Sequence, residues 1–320
     1  MTLVDMTQSI NENNSLADKS IDLTTRLGRL ELANPILTAS GTFGYAREMA
    51  SIVDLPKLGG VLPKTITRDP RSGNAPWRTV ETSAGLLNAI GLDNDGVDYF
   101  LSNHWPYLKS IGTKVIVSIA GKSQEDFVYL AQRMNEAEGL AGLELNISCP
   151  NVAGGVDFGT DPKSCFDVVS GVRRVINCPI LTKLTPNVTS IVSIARAAAE
   201  AGTDAVSCVN TVLGMAIDWR KRRALLGNKV GGLSGPAIKP VALRCVYQVA
   251  SQVKIPIVGI GGIATIDDCM EFFIAGASAV QIGTANYYDP QVSTRMIDQL
   301  PESIRILGAT SLQEIVGTLQ

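Results

Sequence analysis

Eight short apolar runs repeat along the chain, at residues 35–39, 60–63, 114–119, 142–147, 180–184, 205–209, 257–260 and 279–282. Each closes in a turn rich in Gly, Asn or Ser, and between them lie amphipathic stretches at 124–138, 162–176, 188–201, 236–253 and 266–275. Strands that alternate with helices pair in parallel through right-handed crossovers. Eight such units closing on themselves predict an α/β fold, a (β/α)8 TIM barrel. An open doubly wound sheet is the alternative, but no GxGxxG opens a helix after the first run.

Around this frame, residues 1–20 are polar and read as a disordered leader, leaving 21–320 as a single barrel catalytic domain. Residues 21–24 and 30–32 flank Arg26-Leu27-Gly28-Arg29 and predict a small N-terminal hairpin capping the barrel floor. Two long insertions, 65–94 after the second strand and 211–234 after the sixth, follow strand C-termini, where barrel enzymes build substrate sites and lids.

Composition narrows the function. A formal charge of −2 gives no reason to expect nucleic acid, and the basic run Trp219-Arg220-Lys221-Arg222-Arg223 reads as a solvated loop tip. No apolar run approaches the roughly 18 residues a membrane span needs, so no membrane partner is expected and the cytoplasm is the expected location. The six cysteines show no CxxC or other metal-ligand spacing, and five sit in apolar or helical contexts as small hydrophobes. With one histidine, His104, and no base partner near it in sequence, neither a histidine triad nor a metal site is expected. Proton chemistry must then fall to another residue type.

All eight predicted strands end in polar or glycine residues. These are Ser40-Gly41, Lys64-Thr65, Ser118, Asn146 with Cys149, Lys183, Asn210-Thr211, Gly261-Gly262 and Gly283-Thr284. The glycines after the last two strands let backbone N–H groups approach a phosphate, as loops there commonly do in this fold, and Gly231 to Pro236 offers a third such turn. The bland reading is tight turns needing positive φ. Glycine turns alone do not separate FMN from a sugar phosphate. Lys64 and Lys183 lie in apolar surroundings, and a buried ammonium needs an anion or an electron-rich carbonyl beside it. A reduced flavin is one such partner; a Schiff-base lysine of an aldolase is the rival role. The segment from Glu144 to Asn151 is an apolar strand ending in two amides, Asn146 and Asn151, that bracket the thiol of Cys149. The amides can hold a polar heterocycle while the thiol removes a proton.

The set of motifs resembles the class 1B dihydroorotate dehydrogenases, specifically their FMN-bearing catalytic subunit, from Asp22 to Leu312. The resemblance rests on Ala39-Ser40-Gly41-Thr42-Phe43-Gly44, Pro63-Lys64-Thr65, the run from Thr82 to Leu92, and Asn146-Ile147-Ser148-Cys149-Pro150-Asn151-Val152. Phe158 to Pro162, Lys183 to Val188, Asn210-Thr211 and Gly231 to Pro240 extend it. It implies FMN held by Ser40, Lys64, Thr65, Asn146, Lys183, Val209, Gly235, Gly261, Gly262, Gly283 and Thr284. Ser118 stands where the common family pattern has asparagine, and its shorter hydroxyl is expected to weaken that flavin contact. Substrate contacts are implied for Lys64, Asn88, Ala89, Ile90, Gly91, Leu92, Asn146, Asn151, Asn210 and Thr211, with Cys149 as the base.

The implied reaction is oxidation of (S)-dihydroorotate to orotate in de novo pyrimidine biosynthesis. Electrons then pass to a separate subunit carrying FAD and a 2Fe–2S cluster, in a heterotetramer built on a homodimer, and on to NAD. A class 1A homodimer reducing fumarate is the nearest alternative. A lysine-dependent barrel aldolase and a non-catalytic flavin-binding protein stand further off.

Overall fold

The computed structural model describes residues 20–148 and 158–320. The expected leader, all but Ser20, and two expected site residues, Cys149 and Asn151, lie outside the described residues.

The chain enters through an antiparallel hairpin of β1 (Thr25–Leu27) and β2 (Leu30–Leu32). Its first strand begins after residues 21–24, later than the sequence suggests, because Gly28 and Arg29 form the turn. Gly28 has φ +59°, and a Cβ there would lie 2.8 Å from Asp204 Cβ, so turn and barrel strand approach closely only without a side chain.

Eight strands then close a parallel barrel. They are β3 (Ile36–Thr38), β4 (Gly60–Val61), β7 (Lys114–Ile119), β8 (Gly142–Asn146), β9 (Ile180–Leu184), β10 (Ala205–Cys208), β15 (Ile257–Ile260) and β16 (Ala279–Ile282). β16 pairs with β3 to complete the ring, so the (β/α)8 expectation holds and the open sheet does not. Side chains alternate about each strand. Val115, Val117, Leu143, Leu145, Val206, Val280 and Ile282 face the helices and form the main core with residues such as Phe127 and Phe272. Leu37, Ile116, Leu181, Ala205, Val258 and Ala279 face inward and meet Leu27, Leu30 and Leu32 of the hairpin, which plugs the floor as expected.

Helix starts are set by side-chain caps. Ser123, Asp161, Ser190 and Thr265 each accept the backbone N–H three residues on, opening Gln124–Met134, Pro162–Arg173, Ile191–Glu200 and Ile266–Ile274. The Ser190 cap explains why the third of these starts three residues later than periodicity suggests. Along Gln124–Met134 the buried positions Phe127, Leu130, Ala131 and Met134 follow one stripe.

The insertions hold β5 (Thr79–Thr82), β6 (Gly85–Asn88), β11 (Val212–Met215), β12 (Ile217–Asp218), β13 (Arg223–Ala224) and β14 (Val230–Ser234). They meet: β6 pairs with β14, giving one antiparallel sheet in the order β11-β14-β6-β5 over the barrel mouth. No helix among the described residues is long and apolar enough to cross a membrane.

Candidate active site

A cavity of about 640 Å³ opens at the carboxyl ends of the barrel strands, beneath the sheet that the insertions form. Its wall takes residues from the ends of seven of the eight strands: Ser40 and Gly41, Lys64 and Thr65, Asn146, Lys183, Val209 to Thr211, Gly261 and Gly262, and Gly283 and Thr284. Asn88, Ile90, Gly91 and Leu92 come from the first insertion, and Gly235 from the end of the second.

Among the described residues, two expected ones are not on this wall. Ala89 is buried behind it, in a small apolar cluster with Leu87 and Leu226. Ser118, expected to touch the flavin, is fully buried, and its Oγ lies 2.9 Å from Thr65 Oγ1. The short hydroxyl thus meets a wall residue, Thr65, from behind the cavity.

Glycines shape one end. Gly261 and Gly262 follow β15 with φ +129° and +75°, and a Cβ on Gly262 would fall 2.7 Å from Lys239 N. Both positions therefore exclude side chains on steric and conformational grounds. Beside them Thr284 Oγ1 donates to Ser234 Oγ at 2.8 Å, which links the last barrel strand to the second insertion. Tyr287, unremarked in the sequence, donates its hydroxyl to Gly41 O across the mouth at 3.2 Å.

Amides crowd the other end. Asn210 Nδ2 lies 3.3 Å from Asn146 Oδ1 and from both Ser148 O and Ser148 Oγ, while Asn210 Oδ1 accepts the Thr211 N–H at 2.8 Å. Asn187 braces the same loop, donating to Thr211 O and accepting the Leu213 N–H, both at 2.9 Å. Asn88 donates to Gly232 O at 3.3 Å, tying the two insertions together beside the cavity. Cys149 and Asn151, expected to join this group, lie outside the described residues.

Beneath the wall is a polar layer that sequence reasoning missed. Glu144 is fully buried on the inner face of β8, two residues before Asn146. Its Oε2 accepts from Gln281 Nε2 at 2.6 Å and Ser207 Oγ at 3.1 Å. Its Oε1 accepts from Ser40 Oγ at 3.3 Å and lies 3.7 Å from Lys183 Nζ. Gln281 also reaches the cavity wall, and its buried Oε1 has no partner among the described residues. Strand alternation was the available signal: Glu144 shares a face with Asn146. A carboxylate inside an otherwise apolar run is unexpected unless something pairs with it.

Among the described residues, no group of three or more His, Cys, Asp or Glu is placed to hold a metal ion.

A closed eight-stranded barrel with a large cavity at the strand carboxyl ends defines the (β/α)8 enzyme class. Within that class, the family model for dihydroorotate dehydrogenase matches residues 22–304, and the chain belongs to this family of oxidoreductases. Similar proteins include the "Dihydroorotate dehydrogenase B (NAD(+)), catalytic subunit" of Geotalea uraniireducens, 48% identical over 299 residues, 93% of this chain and 98% of that protein. The proteins of the same name from Desulforamulus reducens and Bacteroides thetaiotaomicron are 49% and 47% identical over 298 and 300 residues. Each alignment covers 93% of this chain, with 98% and 99% of the respective relative.

Proposed function

We propose that this chain is the FMN-bearing catalytic subunit of a B-type dihydroorotate dehydrogenase, oxidising (S)-dihydroorotate to orotate in pyrimidine synthesis. The observation that carries the reading is the cavity itself. It is lined by the glycines Gly261, Gly262 and Gly283, by Lys64 and Lys183, and by the amides Asn88, Asn146 and Asn210. The residues fit FMN. The glycine turns leave backbone N–H groups open to a phosphate, and Gln281, a lining residue, keeps a buried Oε1 with no partner among the described residues. Lys183, on the cavity wall, would supply positive charge to a flavin ring that gains negative charge on reduction.

In this reading Ser40, Lys64, Thr65, Asn146, Lys183, Val209 and Gly235 hold the ring and ribityl chain, and Gly261, Gly262, Gly283 and Thr284 hold the phosphate. Bound FMN supplies the acceptor for the hydride that leaves C6 of the substrate. Lys64 meets the substrate carboxylate. Asn88, Asn146, Asn151 and Asn210 offer donors and acceptors to its amide groups, while Ile90, Gly91, Leu92 and Thr211 complete the wall. Cys149, as thiolate, takes the proton from C5, and the C5–C6 double bond of orotate forms as both hydrogens leave.

The electrons leave through a separate subunit carrying FAD and a 2Fe–2S cluster, which reduces NAD, in a cytoplasmic heterotetramer built on a homodimer of this chain. The B-type names of the relatives support this over a fumarate-reducing homodimer. The aldolase reading loses ground because Lys183 Nζ lies 3.7 Å from the buried Glu144 carboxylate, which engages it as an ion-pair partner behind the cavity wall.

The test is the visible spectrum of the purified protein. A yellow protein that releases FMN and bleaches with anaerobic dihydroorotate is expected; a colourless protein trapped by borohydride on a carbonyl substrate would point to the aldolase. Reoxidation by NAD only with the partner subunit, and none by fumarate, separates the B type from the A type.

A further inference from the structure

The layer under the cavity contains a charge the fold does not require. Barrel interiors are filled mainly by branched aliphatic side chains, and well-packed apolar residues of similar volume often replace a buried ion pair without loss of stability. Here the inner face of β8 carries Glu144 instead, with no exposure to solvent.

Four groups from four separate elements converge on it: Gln281 of β16, Ser207 of β10, Ser40 after β3 and Lys183 of β9. Each is able to donate, and the two carboxylate oxygens share the four contacts between them. Three of the four, Ser40, Lys183 and Gln281, also line the cavity. Glu144 therefore touches nothing in the cavity itself, yet it bears on three groups of the wall at once.

We propose that Glu144 is the positioning residue and counter-charge of the flavin site, fixing Lys183, Ser40 and Gln281 against the ring and holding down the reduction potential of FMN. The inference rests on the FMN reading above. Its physics is electrostatic. A lone ammonium at the ring favours the negatively charged reduced flavin. A carboxylate 3.7 Å behind that ammonium offsets part of its field. The pair leaves the reduced flavin a better donor to the next carrier than an unbalanced lysine would.

The experiment compares wild type and Glu144→Gln, both loaded with FMN, by equilibrating each with a reference dye of known potential. The amide keeps the shape and removes the charge. We expect the equilibrium to shift toward reduced FMN by about tenfold, which is about 30 mV for a two-electron couple, with FMN still bound at one per chain. A loaded variant with unchanged potential overturns the inference, because a purely structural role would alter melting or flavin affinity and leave the potential alone. A wild type that takes up no FMN overturns the functional reading and this inference with it.

Glu144→Asp draws the charge back by one methylene, and a smaller shift of the same sign is expected. If neither variant holds flavin, wild-type protein carrying isotope-labelled glutamate decides. Its infrared difference spectrum between oxidised and reduced flavin is expected to contain a labelled carboxylate band, and a spectrum without one overturns the inference.

Discussion

Arg29 grips Asp204 with a two-pronged contact, Nε to Oδ1 at 2.7 Å and Nη2 to Oδ2 at 2.9 Å. The pair joins the turn of the N-terminal hairpin to the approach of β10 and locks the floor plug onto the barrel. Asp204 Oδ2 also accepts from Arg173 Nη1 at 3.1 Å and from the Ile180 N–H at 2.8 Å. One carboxylate thus fastens the hairpin, a helix and two strands at the end of the barrel away from the cavity.

That hub sets the first prediction. Burial alone would raise the Asp204 carboxyl, but the Arg29 hydrogen bond, the Ile180 N–H and the charges of Arg29 and Arg173 outweigh it and hold the group below its usual value. A depressed folded-state value means the stabilisation is present above the unfolded value of about 4 and is lost as pH falls through the folded one. Asp204→Asn is expected to cost about 3 kcal/mol at neutral pH, since it leaves Arg173 without its charge partner. Urea unfolding curves should show that difference shrinking below about pH 4.

A second prediction concerns the thiols. Burial pushes Cys165 up to about 12 and Cys178 up to about 11, and raises Cys208, Cys245 and Cys269 as well. At neutral pH these five are held as unreactive thiols. Iodoacetamide is expected to label native protein once, on Cys149, with orotate protecting it; peptide mass mapping reads the site. Cys149→Ser is expected to slow anaerobic flavin reduction by about a hundredfold or more, with orotate binding largely kept. In wild type the rate should rise with pH until Cys149 is deprotonated, as expected of a base that acts as its thiolate.

Flavin affinity tests the glycine turn. Ala at position 262 would require a left-handed backbone and place its Cβ 2.7 Å from both Lys239 N and Lys239 Cβ. Gly262→Ala is expected to weaken FMN binding by about tenfold, from about 1 to 3 kcal/mol of local strain. Fluorescence titration of apoprotein with FMN measures it.

The amide cluster makes a fourth prediction. Asn210 is held by Asn146, Ser148 and the Thr211 N–H, so its amide is aimed before substrate arrives. Asn210→Ala is expected to lower kcat/KM for dihydroorotate by roughly 10- to 100-fold, the scale of one hydrogen bond to a polar substrate. The FMN absorption spectrum of the variant should match wild type; a shifted spectrum would move Asn210 from substrate to flavin.

Much of the site was legible because strand ends advertise themselves. A β-branched run followed by Ser40-Gly41, Lys64-Thr65 or Gly261-Gly262 carries its own direction, and parallel strands in a closed barrel must put those ends on one rim. Local chemistry was enough there. It was not enough for Ser118, which looks like its neighbours on the rim but spends its hydroxyl on Thr65 behind the wall. Nor did it find the join between insertions, where Leu87 pairs with Leu233 across nearly 150 residues.

The sequence by itself determined the strands, the helices, the barrel and most residues at its mouth, because periodicity and turn chemistry are local properties of the chain. Only the tertiary structure decided that Glu144, Ser207, Gln281 and Lys183 form one buried layer. Alternation says which residues of a strand share a face. Which side chains then meet inside depends on how eight strands stagger as they close, and no single segment carries that information.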